Sequence, residues 1–109
     1  MQQLDQATRQ KLQAALFERL LAHLQKRTDI QNIDLMIAGG FCRNCFSKWL
    51  VEAADAAQIK MSLDEARELI YGMPYHLWKE RYQCEATQEQ QSAYAAQLAK
   101  SAGSLPSTK

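Results

Sequence analysis

Leu12, Leu16, Leu20 and Leu24 recur every four residues, Phe17 and Leu21 widen the stripe, and Arg9, Lys11, Glu18, Arg19 and Lys26 fill the remaining faces. That periodicity predicts an amphipathic helix over about residues 6–26, with Asp5 or Thr8 as its cap. Thr28 and Gln31 have the spacing of a capping box, and Ile30, Ile33 and Ile37 continue at helical intervals until Gly39-Gly40 stops a short second helix near Ala38. Cys42, Cys45, Trp49, Ala53 and Ala56, with Phe46 and Leu50 beside them, predict a third helix over about 41–58. Ser62 and Glu65 form the clearest capping box, opening a fourth helix that Gly72 ends, and Pro74 suits the first turn of a fifth carrying Tyr75, Trp78 and Tyr82 on one face. Thr87 and Gln90 open a last helix to about Lys100, whose face is so thin in large apolar groups that it is expected to pack weakly or against a partner.

The fold expected is all-α: a compact bundle of five or six helices, some short, in one domain over residues 1–100. Its core is predicted to hold Leu16, Leu20, Ile33, Ile37, Trp49, Ile70 and Trp78, and residues 101–109 read as a disordered tail. Four glycines and two prolines in 109 residues supply too little turn punctuation for an all-β fold, in agreement with the helical pattern.

Charge removes several function classes. Thirteen Lys and Arg against twelve Asp and Glu leave no global field for nucleic acid or an anionic membrane, so neither is expected as a partner. The first residues lack the basic and apolar regions of a secretory signal, and no run of residues is long and apolar enough to span a bilayer. Both point to the cytoplasm. In a reducing compartment an odd count of three cysteines argues against a disulfide framework.

Cys42 and Cys45 are therefore the residues with chemical potential. Three apart at a helix start they share a face, where backbone N–H groups, the helix dipole and Arg43 would lower a thiol pKa and favour dithiol redox chemistry. The strand expected before a redox C-x-x-C is missing. A zinc site could take the same two sulfurs, with His23 or Asp34 among the further ligands on offer, but no second close ligand pair exists, so zinc is admitted and not favoured. Set against both is plain packing, since cysteine behaves as a small buried hydrophobe at core spacing. Cys84 reads as a bystander, His23 and His76 as ordinary histidines, and the Tyr75, Trp78 and Tyr82 stripe as core. No paired carboxylates, phosphate loop or nucleophile elbow appears, which disfavours an enzyme without closing the question.

Three segments together carry a family resemblance: Gln31-Asn32-Ile33-Asp34-Leu35-Met36; Gly40-Phe41-Cys42-Arg43-Asn44-Cys45 with Lys48-Trp49; and Tyr71-Gly72-Met73-Pro74-Tyr75 with Trp78-Lys79. They resemble the bacterial family known as domain of unknown function 1244, over roughly residues 12 to 90. The resemblance implies a short, soluble, all-helical protein with no activity attached to it. It also implies that Cys42 and Cys45 belong to the motif while Cys84 does not, with His23 in the first-helix portion. Polar Asn32, Asp34, Arg43 and Asn44 beside the cysteines, with Tyr75, make up the candidate functional surface. Two functions follow as expectations: a non-catalytic interaction or accessory protein, with another protein or a homo-oligomer as partner and an apolar patch near Tyr75 and Tyr94; and, as the alternative, a thiol site for redox or zinc.

Overall fold

The computed structural model describes residues 3–104 and contains, among them, six helices and no strand. They are α1 (Gln6–Lys26), α2 (Asn32–Gly39), α3 (Arg43–Ala56), α4 (Leu63–Tyr71), α5 (Tyr75–Tyr82) and α6 (Gln88–Ser104). Of the expected tail, residues 101–109, the first four continue α6 as far as Ser104, and the rest lies outside the described residues.

Local sequence accounts for most of these boundaries. Asp5 caps α1 by accepting a hydrogen bond of 2.7 Å from the Thr8 N–H. At α4 the predicted box is complete: the Ser62 N–H donates to Glu65 at 2.8 Å and the Glu65 N–H donates to Ser62 Oγ at 3.1 Å. Thr87 and Gln90 repeat the arrangement at α6. Gly40 and Gly72 end α2 and α4 in the left-handed region, both at φ 77°, where a side chain would be strained. Other boundaries shift. The cap of α2 is Gln31, whose N–H donates to the Asp34 carboxylate at 2.8 Å, because the preceding residues Thr28 to Ile30 form a turn in place of the expected box. Helix α3 begins only at Arg43 with Cys42 as its cap residue, and Pro74 caps α5 rather than entering it.

The core gathers Leu21, Leu24, Phe46, Ile70, Tyr71 and Trp78, with Leu35, Leu50, Met73, Tyr75 and Tyr82 packed around it. Helix α4 is central: it packs on α3, on α5 and on the end of α1, while α6 lies along α2. An aromatic ladder runs from Tyr75 through Tyr71 and Trp78 to Tyr82, with ring centroids 5.1, 5.1 and 5.9 Å apart. The aromatic stripe of α5 is thus core, as its spacing suggested.

Of the expected core residues, Ile70 and Trp78 are buried and Ile33 and Ile37 are half-buried. Leu16, Leu20 and Trp49 are not core: they are 70%, 39% and 40% exposed. The reason is angular. Residues four apart advance about 40° more than one full turn, so the leucine row winds around α1 and only its last member, Leu24, is buried, with Leu21 beside it and Phe17 meeting Phe46 edge-on. Every described residue of α1 before Leu21 is exposed.

Candidate functional site

Arg43 sets the geometry of the region the sequence singled out. It opens α3, it is 2% exposed, and no carboxylate among the described residues pairs with it. Its guanidinium instead donates to four oxygens: Ile30 O at 2.8 Å, Asn32 Oδ1 at 3.1 Å, Arg27 O at 3.1 Å and Leu24 O at 3.4 Å. Two of these carbonyls finish α1, where the helix dipole is negative, and the Trp78 ring lies 4.9 Å from the guanidinium carbon. A buried cation is therefore held by helix-end carbonyls and an aromatic face. Burial draws its pKa downward, but an arginine stays charged.

From Arg43 a directional chain of hydrogen bonds leaves the core. Asn32 Oδ1 accepts from Arg43, and its Nδ2 donates to the Tyr71 hydroxyl at 3.0 Å. Tyr71 donates to Asn44 Oδ1 at 2.8 Å, and Asn44 Nδ2 donates to the Tyr75 hydroxyl at 3.3 Å. Burial raises the Tyr71 pKa well above the usual tyrosine range, so this hydroxyl remains a donor. Tyr75, its ring flanked by Arg67 at 4.5 Å and Lys79 at 5.2 Å, ends the chain at the wall of a cleft of about 360 Å³. Asn32, Asn44 and the extended stretch from Gln83 to Ala86 line the same cleft. Gln31 fastens that stretch to α2, donating to Tyr82 O and accepting from the Cys84 N–H, both at 2.8 Å.

Of the five residues expected at a functional surface, Asn32, Arg43, Asn44 and Tyr75 are thus joined in one network. Asp34 stands apart, its carboxylate taken by the Gln31 N–H and by Gln90 Nε2 at 2.9 Å, a contact that seats α6 on α2. Tyr71 and Gln31 were missed. Tyr71 lies next to Gly72 in one of the family-like segments, but nothing in its spacing aims it at two asparagines 39 and 27 positions away.

The cysteines behave differently from the thiol expectation. Cys42 is buried, Cys45 half-buried and Cys84 exposed, and all three are free. Burial pushes the Cys42 thiol up, outweighing the N–H groups of Cys45 and Asn44 that favour its thiolate. Arg43 does not counter this, since its guanidinium is spent on α1. No group of three or more His, Cys, Asp or Glu among the described residues is placed to hold a metal ion. His23 is exposed on α1, and Asp34 serves as a cap, so neither joins Cys42 and Cys45 as a ligand.

The network has hydrogen-bond donors and acceptors but no nucleophile beside a base, and its one strongly shifted hydroxyl is shifted away from ionisation. These are the features of an all-helical protein with a polar, arginine-centred interior. The chain belongs to the family described as Protein of unknown function (DUF1244), whose model matches residues 30–96. That span takes in α2 to α5 and much of α6, and leaves α1 and His23 outside. No curated protein matches the chain. No helix among the described residues is long and apolar enough to cross a membrane.

Proposed function

We propose that this protein is a non-catalytic interaction protein that docks through the exposed face of α1. One observation carries the reading: Leu12, Leu16 and Leu20 lie 55%, 70% and 39% exposed in one row on a helix that is anchored through Leu21, Leu24 and an edge-on contact of Phe17 with Phe46. Single exposed leucines are common, but an aligned row of three is the kind of patch that marks a contact surface. The patch is on α1 and not near Tyr75 and Tyr94, which are half-buried. Arg9, Arg19 and His23 border the row, which gives it a polar, basic rim.

Dithiol chemistry or zinc at Cys42 and Cys45 has less support, because the buried thiol resists ionisation and no third ligand among the described residues stands nearby. An odd count of three cysteines, none of them in a disulfide, favours a reducing, cytoplasmic setting.

The test is capture with tagged full-length chain, compared with a Leu12→Glu/Leu16→Glu variant of equal helicity. The reading expects a defined partner, a differently tagged copy of this chain included, that the wild type retains and the variant loses. Equal recovery by both would overturn it.

A further inference from the structure

We infer that the cleft beside Tyr75 is a second binding site, separate from the α1 row, and that it takes a short extended segment of a partner polypeptide carrying no acidic side chain. The Tyr75 hydroxyl donates to a backbone carbonyl of that segment, and the stretch Gln83 to Ala86 pairs with its backbone.

The direction of the hydrogen bonds assigns the first contact. An arginine side chain can only donate, so Asn32 must turn Oδ1 toward Arg43, whose backbone N–H donates to the same oxygen at 3.4 Å. Asn32 Nδ2 is then the donor to Tyr71, Tyr71 the donor to Asn44 Oδ1, and Asn44 Nδ2 the donor to Tyr75. Tyr75 therefore accepts from inside the protein, and its own proton has no acceptor among the described residues. A hydroxyl proton left over at a cleft wall calls for a ligand oxygen. No cation lines the cleft: Arg43 is buried, and Arg67 and Lys79 lie over the Tyr75 ring. Glu85 is the one charged side chain in the lining. The ligand oxygen thus belongs to a neutral carbonyl, not to a carboxylate or phosphate.

Backbone supplies the second contact. The N–H groups of Glu85 and Ala86 and the carbonyls of Gln83, Cys84 and Glu85 make no hydrogen bond among the described residues, and Gln83, Cys84 and Glu85 are exposed. The stretch is nevertheless held at both ends. Gln31 grips Tyr82 O and the Cys84 N–H, and Gln91 Nε2 donates to Ala86 O at 3.2 Å just before α6 begins. Backbone that is fixed but unpaired is a ready edge for an added strand, because little ordering cost remains on the protein side. A compound with an oxygen alone would satisfy Tyr75 and leave this edge unpaired. A peptide carries carbonyl and N–H groups together, repeating along an extended chain. At about 360 Å³ the cleft is near the lower end of ligand-binding sites, which suits a few residues of extended chain and not a folded surface.

The test is a proton–nitrogen correlation NMR titration of the full chain with two blocked tripeptides, acetyl-Ala-Lys-Ala-amide and acetyl-Ala-Glu-Ala-amide, up to about 10 mM. The lysine peptide should move the Glu85 and Ala86 N–H resonances downfield and saturate. The glutamate peptide should bind about two- to fivefold more weakly, a gap that Glu85→Gln closes. Tyr75→Phe, which keeps the ring contacts with Arg67, Lys79 and Tyr71, should weaken the lysine peptide by about three- to tenfold. Methylating the amide nitrogens of the peptide removes the N–H groups that pair with the stretch and should abolish the shifts, an arm that holds whatever Tyr75→Phe does to the fold. No movement of Glu85 and Ala86 with either peptide, equal binding of the N-methylated peptide, or equal binding by a folded Tyr75→Phe chain overturns the inference. So does N-methylacetamide or acetate that moves the same resonances at the same concentrations as the peptide, which would make the cleft a small-molecule site. Leu12→Glu/Leu16→Glu should leave the titration unchanged, so this site and the α1 reading stand or fall separately.

Discussion

Leu16 and Leu24 stand two turns apart on one helix, share a residue type and a row, and end up in opposite environments. Leu24 is in the core, and its carbonyl is bound by the Arg43 guanidinium, while Leu16 faces solvent. Nothing intrinsic to leucine or to helix propensity separates them. What differs is what the rest of the chain brings to each turn: α4, Trp78 and a buried cation at the C-terminal end, and over the middle, among the described residues, only Phe46, which meets Phe17 and leaves the Leu16 side open. A hydrophobic row marks a surface that can be covered; whether by its own chain is decided elsewhere. Predictions that perturb the anchored end and the open face by different amounts test this contrast.

The largest effect belongs to Arg43. Arg43→Ala removes the donor for three backbone carbonyls and Asn32 Oδ1 and leaves a hole against Trp78, so a loss of about 3–5 kcal/mol is expected in denaturant titrations. Arg43→Lys should recover only part of this, because an ammonium cannot present a planar fork to oxygens on both sides of the Arg27–Ile30 turn. A variant within 1 kcal/mol of wild type would show that the end of α1 does not depend on the buried cation.

Tyr71 comes next. Tyr71→Phe keeps the ring contacts with Tyr75 and Trp78 but leaves Asn32 Nδ2 and Asn44 Oδ1 without their partner, an expected cost of about 1–2 kcal/mol. The same hydroxyl predicts an alkaline limit. Tyr71 and Cys42 have folded pKa values raised above their unfolded ones, so above the unfolded values the unfolded chain holds fewer protons and stability falls as pH rises. Stability from these groups is fully present below about pH 8.5 and declines beyond it. Absorbance of tyrosinate against pH should show a Tyr71 step that appears only as the fold is lost, and Tyr71→Phe should remove that step.

Much of the fold was legible because its signals are local. The Ser62–Glu65 and Thr87–Gln90 boxes and the Gly40 and Gly72 stops are written within a few residues of where they act. The candidate surface was legible in part. Asn32, Arg43, Asn44 and Tyr75 attracted notice as polar residues beside cysteines, and the structure joins them through a group that spacing could not supply, Tyr71. The role of Arg43 was misread, because sequence proximity to Cys42 and Cys45 suggested a charge for a thiol. Its long side chain instead reaches α1, 16 to 19 positions back. The leucine row was misassigned for a related reason: periodicity identifies an apolar stripe but not its rotation relative to a body formed by residues much later in the chain.

The smallest effect is the one that isolates the open face. Leu16→Gln should change the chain's stability by no more than about 0.5 kcal/mol, since an exposed side chain loses little on becoming polar. Leu21→Ala, one and a half turns further along α1 and buried, should cost about 2–3 kcal/mol under the same conditions. Capture with the tagged chain should then reverse the ranking: Leu16→Gln weakens partner retention, whereas Leu21→Ala affects it only through the fraction of chain folded. Equal stability losses for the two would mean that Leu16 is covered within its own chain. The contrast between the two ends of α1, and the interface built on it, would then not hold.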